Sequence, residues 1–202
     1  MLKPKHAILS ASIVTMVAIM AMTPEKSSSG APAGHTGAPG EPTCATIGCH
    51  DDNSMNTGKA SLSIDLGSAT NYVPGHTYPI KVRITEPSVE RFGFQLVALT
   101  NTDTANAGSF LLSDVIRTQT VKSMYQFQNR EYVTYTYNGT DAVSTGLGEW
   151  TVNWKAPASS IGNITFFASA VSGNDDETDQ GDHVYTQSLT IQPSYKAIEL
   201  QK

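Results

Sequence analysis

Beyond Ala60 the chain sets apolar residues at every second position, segment after segment. Leu62, Ile64 and Leu66 alternate with Ser and Asp, and Tyr78, Ile80, Val82 and Ile84 alternate with Pro79, Lys81 and Arg83. Phe92, Phe94, Leu96 and Ala98 follow the same rule, as do Trp150, Val152 and Trp154, then Ile164, Phe166, Ala168 and Ala170, and last Tyr185, Leu189 and Ile191. A period of two sends one set of side chains to a core and the other to water, as in antiparallel sheets with one wet face. Turn-forming stretches separate the runs: "VPGHT", "NTDTANAGS", "NGTD", "APASSIGN" and "SGNDDETDQGD". No 3.6-residue period persists beyond two turns. The pattern predicts roughly seven to nine strands over about 135 residues, in an all-β, antiparallel two-sheet sandwich, with a closed barrel as the alternative.

The segment before Ala60 has a different character. Met1–Met22 opens with Lys3, Lys5 and His6 and continues as an uncharged apolar run from Ala7, the layout of a secretory signal peptide with cleavage between residues 22 and 30. The run falls short of the ~20 residues needed to span a bilayer. Residues 23–43 are rich in Pro, Gly, Ser and Ala and read as a flexible N-terminal arm. A cysteine loop, 44–59, then leads into the sandwich at 60–192, and 193–202 form a C-terminal tail. Removing Met1–Met22 takes away two lysines and no acid, moving the formal charge from -5 to -7. An acidic exported chain with scattered lysines lacks the footprint of a nucleic-acid binder and is expected to make no stable membrane insertion once the signal is gone. Its expected place is the periplasm, the cell surface or the extracellular space.

Export changes the meaning of the only two cysteines, in "GAPGEPTCATIGCH", because thiols outside the cytoplasm are normally oxidised, haem-linked or metal-bound. Covalent c-type haem needs two thiols for the vinyl groups and an imidazole beside the second for the iron, hence C-x-x-C-H. Here Cys44, Cys49 and His50 are spaced C-x4-C-H. The four intervening residues, Ala45 to Gly48, are small or flexible enough to bulge outward. A Cys44–Cys49 disulfide closing a short ring is the competing reading, worth about 2 kcal/mol before strain. Zinc held by Cys44, Cys49, His50 and a distant ligand is the third.

Five phrases in order, "TGAPGEPTC…CH", "YVPGHTYPIKVRI", "RFGFQLVAL", "WTVNWKAP" and "SGNDDETDQGDHVYTQSLTI", resemble the bacterial reelin-like domains of the choice-of-anchor V family, from Thr36 to Ile191. The resemblance implies an exported reelin- or Ig-like β-sandwich, often followed by a C-terminal sorting segment, which "QPSYKAIELQK" does not display. Family members carry C-x-x-C-H where this chain has two more residues. They also tend to carry a histidine shortly after a late-strand Tyr-Val/Ile, where "EYVTYTYNG" offers Tyr135. The resemblance favours a haem c on Cys44 and Cys49, with His50 as proximal iron ligand. The second ligand is expected from His183 or His76, then His35, Met55, Met124 or Tyr135.

Asn174, Asp175, Asp176, Glu177, Asp179 and Asp182 supply enough hard oxygens in 174–182 to suggest calcium as a side reading, but lack the EF-hand order and read first as a solvated acidic hairpin tip. No serine elbow, H-E-x-x-H helix or phosphate-cradling glycine loop is present, so an enzyme is not expected. Two functional classes follow. One is a haem-carrying electron-transfer or redox and gas-sensing protein that meets a redox partner or envelope protein; the other is a cofactor-free, disulfide-stapled surface module binding proteins or glycans.

Overall fold

The computed structural model describes residues 29–194. The signal-peptide segment therefore lies outside the described residues, as does most of the tail.

Ten strands form two stacked sheets among the described residues. β1 (Ser61–Asp65), β3 (Thr77–Thr85), β8 (Leu147–Lys155) and β5 (Ser109–Leu112) make a four-stranded sheet in the order β1-β3-β8-β5. The other sheet runs β2-β10-β9-β4-β7-β6, with β2 (Asn71–Tyr72), β4 (Arg91–Thr100), β6 (Thr118–Lys122), β7 (Glu131–Tyr135), β9 (Ile164–Gly173) and β10 (His183–Pro193). All pairings are antiparallel except the short β2–β10 contact. The expected sandwich is therefore the observed fold.

The inner faces meet in one core, in which Ile80, Val82, Ile84, Trp150, Val152 and Trp154 of the smaller sheet face Phe94, Leu96, Ala98, Phe166, Ala168 and Ala170 of the larger. Trp150 stacks on Phe94 with centroids 4.3 Å apart, and Trp154 meets Phe166 edge-on at 5.0 Å. Aromatic pairs in these geometries add to the burial of their area.

The outer face of the larger sheet departs from the wet-face expectation. In β4 the alternate set is as dry as the core set: Gln95, Val97 and Leu99 are fully buried. The cover is the N-terminal arm. Residues 29–43, assigned by sequence to a flexible linker, pack across β4 and β7. The Gln95 side chain donates to the carbonyls of Ala31 (3.2 Å) and Pro32 (2.8 Å) and accepts from the His35 amide (2.7 Å). Ala38 joins Val97, Leu99 and Tyr132 in a second apolar cluster. Backbone polar groups of an extended arm need partners when buried, and Gln95 and Thr134 supply them.

The arm ends in a tight loop closed by the Thr36–Thr43 bridge, with the Gly37 amide donating to the Pro42 carbonyl at 2.9 Å. Gly37 and Gly40 hold φ of +73° and +83°, a region that side chains disfavour. This turn chemistry in "TGAPGEPT" delivers Cys44 onto the sheet. It also points Glu41 inward, where Arg130, Tyr132 and Thr36 surround its carboxylate.

Candidate functional site

Cys44 lies over the outer face of the larger sheet, packed on Val171 of β9 and Val184 of β10. Its amide donates to Ser169 Oγ at 3.3 Å. From there the chain makes two turns, the Thr46 amide bonding to the Thr43 carbonyl and the Cys49 amide to the Thr46 carbonyl. The His50 amide then returns to the Cys44 carbonyl at 3.2 Å. The excess length is looped into solvent, where Ile47 is 91% exposed and a Cβ added at Gly48 would meet nothing. The bulge expected from composition is thus formed, and it leaves Cys44 and His50 bonded through their backbones.

Beyond the loop the chain wraps the upper edge of β10. Asn56 donates its amide to the Val184 carbonyl at 2.9 Å and accepts from the Thr186 amide, while Asn53 Nδ2 donates to the Asp182 carbonyl. An open strand edge is thereby satisfied.

His50 Nδ1 meets Asp182 Oδ2 at 2.7 Å, and the other oxygen of this buried carboxylate accepts the Asn174 amide at 2.9 Å. A carboxylate on Nδ1 fixes the ring's orientation and directs Nε2 away, as second-shell carboxylates do for metal-binding histidines. His50 borders a cleft of about 470 Å³, within the roughly 300–1,000 Å³ of small-molecule and cofactor sites. Gly93, Val171 and Gly173 line its base, with Phe92 and Tyr135 beside them and Arg91, Asp175, Glu177 and Thr178 at the rim. A second cleft of about 460 Å³, between Thr104–Asn106 and Tyr125–Arg130, is lined by no thiol, imidazole or carboxylate, which leaves the chemistry with the first.

The two thiols are unbonded to each other, Cys44 buried and Cys49 half-buried. Burial pushes the Cys44 thiol up from 9.0 to about 11, with a smaller upward push from Cys49 against the Ser169 hydrogen bond. Burial also raises Cys49, helped by Asp179 and Asp51. As the reduced chain, Cys49 is therefore expected to alkylate well before Cys44, read by mass spectrometry after timed quenching. Cys44 also makes stability pH-dependent. A raised folded value gives stability that is fully present below about pH 9 and lost as pH rises through about 11, up to about 3 kcal/mol. Urea titrations of the reduced chain across that window check this, because Cys44→Ala should lack that part of the slope.

The other sequence candidates lie elsewhere. His183 starts β10 on the face opposite Val184, and hence opposite Cys44. Its ring lies against Gly58, where an added Cβ would come within 2.8 Å of Cγ, and its Nδ1 is buried without a hydrogen-bond partner. His50 and His183 are therefore not brought together on one face. His76 is exposed in the turn before β3. His35 Nδ1 lies 2.9 Å from the Pro32 carbonyl within the arm, Met55 Sδ accepts from Thr43 Oγ1, and Met124 is exposed beyond β6. Of the expected second ligands, the cleft beside His50 gathers Tyr135 alone.

Among the described residues, no three His, Cys, Asp or Glu side chains gather as a metal-holding group. In 174–182, Asp175 pairs with Arg91, Asp176 caps Thr178, and Asp182 holds His50, so these oxygens face different partners. Asp182 as the partner of His50 is the residue that sequence reasoning missed. It stood inside an acidic run, 132 positions away, and spacing carries no signal for such a pair.

Among the described residues, no helix is long and apolar enough to cross a membrane. No curated protein matches the chain. Of the solved structures similar to it, the human F-spondin reeler domain is 23% identical, covering 70% of this chain and 92% of that one with a TM-score of 0.47. A cohesin module from a Clostridium perfringens family 33 glycoside hydrolase is 11% identical, covering 66% and 94%, with a TM-score of 0.41. An immunoglobulin-like protein from Nocardia farcinica is 13% identical, covering 65% and 97%, with a TM-score of 0.36. The Reeler domain family model matches residues 42–176, well over half of the chain and inclusive of the cysteine loop. On that match, the chain belongs to the Reeler domain family.

Proposed function

We propose that this Reeler domain is an exported haem c protein that exchanges single electrons or senses redox state or gases at the cell envelope. Reeler domains are typically extracellular, which agrees with the sequence of Met1–Met22. The observation that carries the reading is the His50–Asp182 pair at the cleft, on a loop whose surplus residues are turned outward. The donor set fits: two sulfurs on one closed loop, and an imidazole whose Nδ1 is occupied and whose Nε2 is the remaining donor. A haem bound there would supply a one-electron iron couple.

The protein's own groups then have definite tasks. Cys44 and Cys49 would tether the group, and Asp182 holds the His50 ring in place. Gly173 keeps the base of the cleft low, and Gly93 leaves room for the Tyr135 ring.

Expression in a host with c-type maturation tests the proposal. The purified protein should be coloured, show a Soret band and weigh one haem more than the polypeptide. Cys49→Ala should lose covalent attachment, and Asp182→Asn should retain it with an altered reduction potential. A colourless product two hydrogens lighter than the reduced chain would reject haem and establish the disulfide-stapled binding module in its place.

A further inference from the structure

We infer that a small basic electron-carrier protein docks on the apolar and acidic surface beside the His50 cleft, where Val115, Ile116 and Tyr137 stand exposed; this rests on the haem reading above. Val115 and Ile116, on the loop from β5 to β6, are 70% and 65% exposed, and Tyr137 is 61% exposed on the 3-10 turn Tyr137–Thr140. Hydrogen bonds join the loop to the turn. The Thr136 amide donates to the Arg117 carbonyl at 3.0 Å and Thr136 Oγ1 donates to the Ile116 carbonyl. Arg117 reaches back to the carbonyls of Asn138 (3.2 Å) and Asp141 (2.6 Å). Tyr137 and Thr140 also line the His50 cleft, so the apolar group continues to its mouth.

The loop is braced. Asp114 Oδ1 accepts the Ile116 and Arg117 amides, each at 3.1 Å, and the Asp114 carbonyl accepts the Thr118 amide at 2.9 Å. Apolar side chains held in water on a fixed backbone lose little freedom when a partner covers them, and such groups mark interaction sites. Charge then selects the partner. Asp175, Glu177 and Thr178 form the opposite rim, and Asp52 of the cysteine-loop side joins it by accepting the Gly181 amide. Arg91, the cation lining the cleft, is already paired with Asp141 and Asp175. Negative charge therefore exceeds positive at the mouth, which repels acidic carriers and steers basic ones, while Val115 and Ile116 supply the dry contact. A carrier seated on Tyr137 stands at the edge of the cleft. One electron crosses there, reducing one protein as the other is oxidised.

Mitochondrial cytochrome c, a small carrier ringed by lysines, is the probe, titrated into isotope-labelled matured protein with amide shifts and calorimetry as readouts. Amides of 114–117 and 137–141 should shift, and affinity should fall about tenfold or more as salt rises from roughly 0.01 to 0.15 M. Val115→Ser/Ile116→Ser should weaken binding about tenfold and keep the native urea midpoint, since both side chains are exposed. Glu177→Lys should weaken binding and flatten its salt dependence. Tyr125→Ser, at the other end of β6, should bind as the native chain does, and plastocyanin, an acidic carrier, should not bind. Native affinity in the double variant, or equal binding of plastocyanin, overturns the inference. A coloured protein that shows no shifts overturns the docking surface and leaves haem binding intact. A colourless protein rejects the haem reading, and its own titration still decides the surface: shifts at 114–117 and 137–141 support it, and their absence overturns it.

Discussion

Glu41→Ala is expected to lower the unfolding free energy by about 3–5 kcal/mol, the range for removing one member of a buried ion pair. The Glu41 side chain is fully buried and that of Arg130 nearly so, with Arg130 Nη1 donating to Oε1 at 2.5 Å. The same oxygen accepts from Tyr132 Oη at 2.6 Å, and Oε2 accepts from Thr36 Oγ1 at 2.5 Å. Truncation strands the guanidinium under the arm, left with the Phe127 ring, 4.2 Å from Cζ, the Pro39 carbonyl and the Tyr132 phenol. The cost is that of an uncompensated charge, so Glu41→Ala/Arg130→Met should recover a large part of the loss. The effect should extend to the site, because Glu41 anchors the turn that delivers Cys44. Alkylation of Cys44 in the reduced single variant should accelerate toward that of Cys49. Urea titration with timed alkylation reads both. A loss below about 1 kcal/mol, typical of an exposed pair, would show that the arm is not anchored by this carboxylate.

Trp150→Ala is expected to cost about 3–5 kcal/mol as well, through a cavity at the centre of the sandwich. The indole is 2% exposed, stacks on Phe94 and donates from Nε1 to the Gly139 carbonyl at 2.8 Å. That last bond reaches the 3-10 turn following β7, where a Cβ added at Gly139 would come within 3.1 Å of Tyr135 Cβ. Trp150→Phe keeps most of the apolar volume and leaves the carbonyl without its donor, so about 1–3 kcal/mol is expected for it. Equilibrium denaturation of the two variants separates packing from hydrogen bonding. Equal losses for Ala and Phe would contradict the cavity account.

The inward positions of β3, β8 and β9 were legible because alternation survives wherever one face of a strand is wet. β7 was not legible. Its Tyr132, Val133 and Thr134 are buried in succession, since the core takes one side and the arm the other, and three buried neighbours carry no period of two. β5 and β6 were missed for a different reason. They are short edge strands among polar turns, held by pairing with β8 and β7 instead of by an apolar pattern of their own. The arm itself reads as a linker because Pro, Gly, Ser and Ala bury little area. Its attachment comes from directed polar contacts, Gln95 to the Ala31 and Pro32 carbonyls and Glu41 to Arg130, whose partners lie 60 or more positions away.

By itself, the sequence determined the sandwich periodicity, the turns, the export signature and the presence of two thiols beside one imidazole, because each is a matter of neighbouring residues. Tertiary structure alone decided that Asp182 holds His50, that Tyr135 shares its cleft, and that His183 faces the opposite side of the sheet. Those outcomes depend on strand order and on which face the arm covers, and pairing across a sheet joins residues without regard to their separation along the chain.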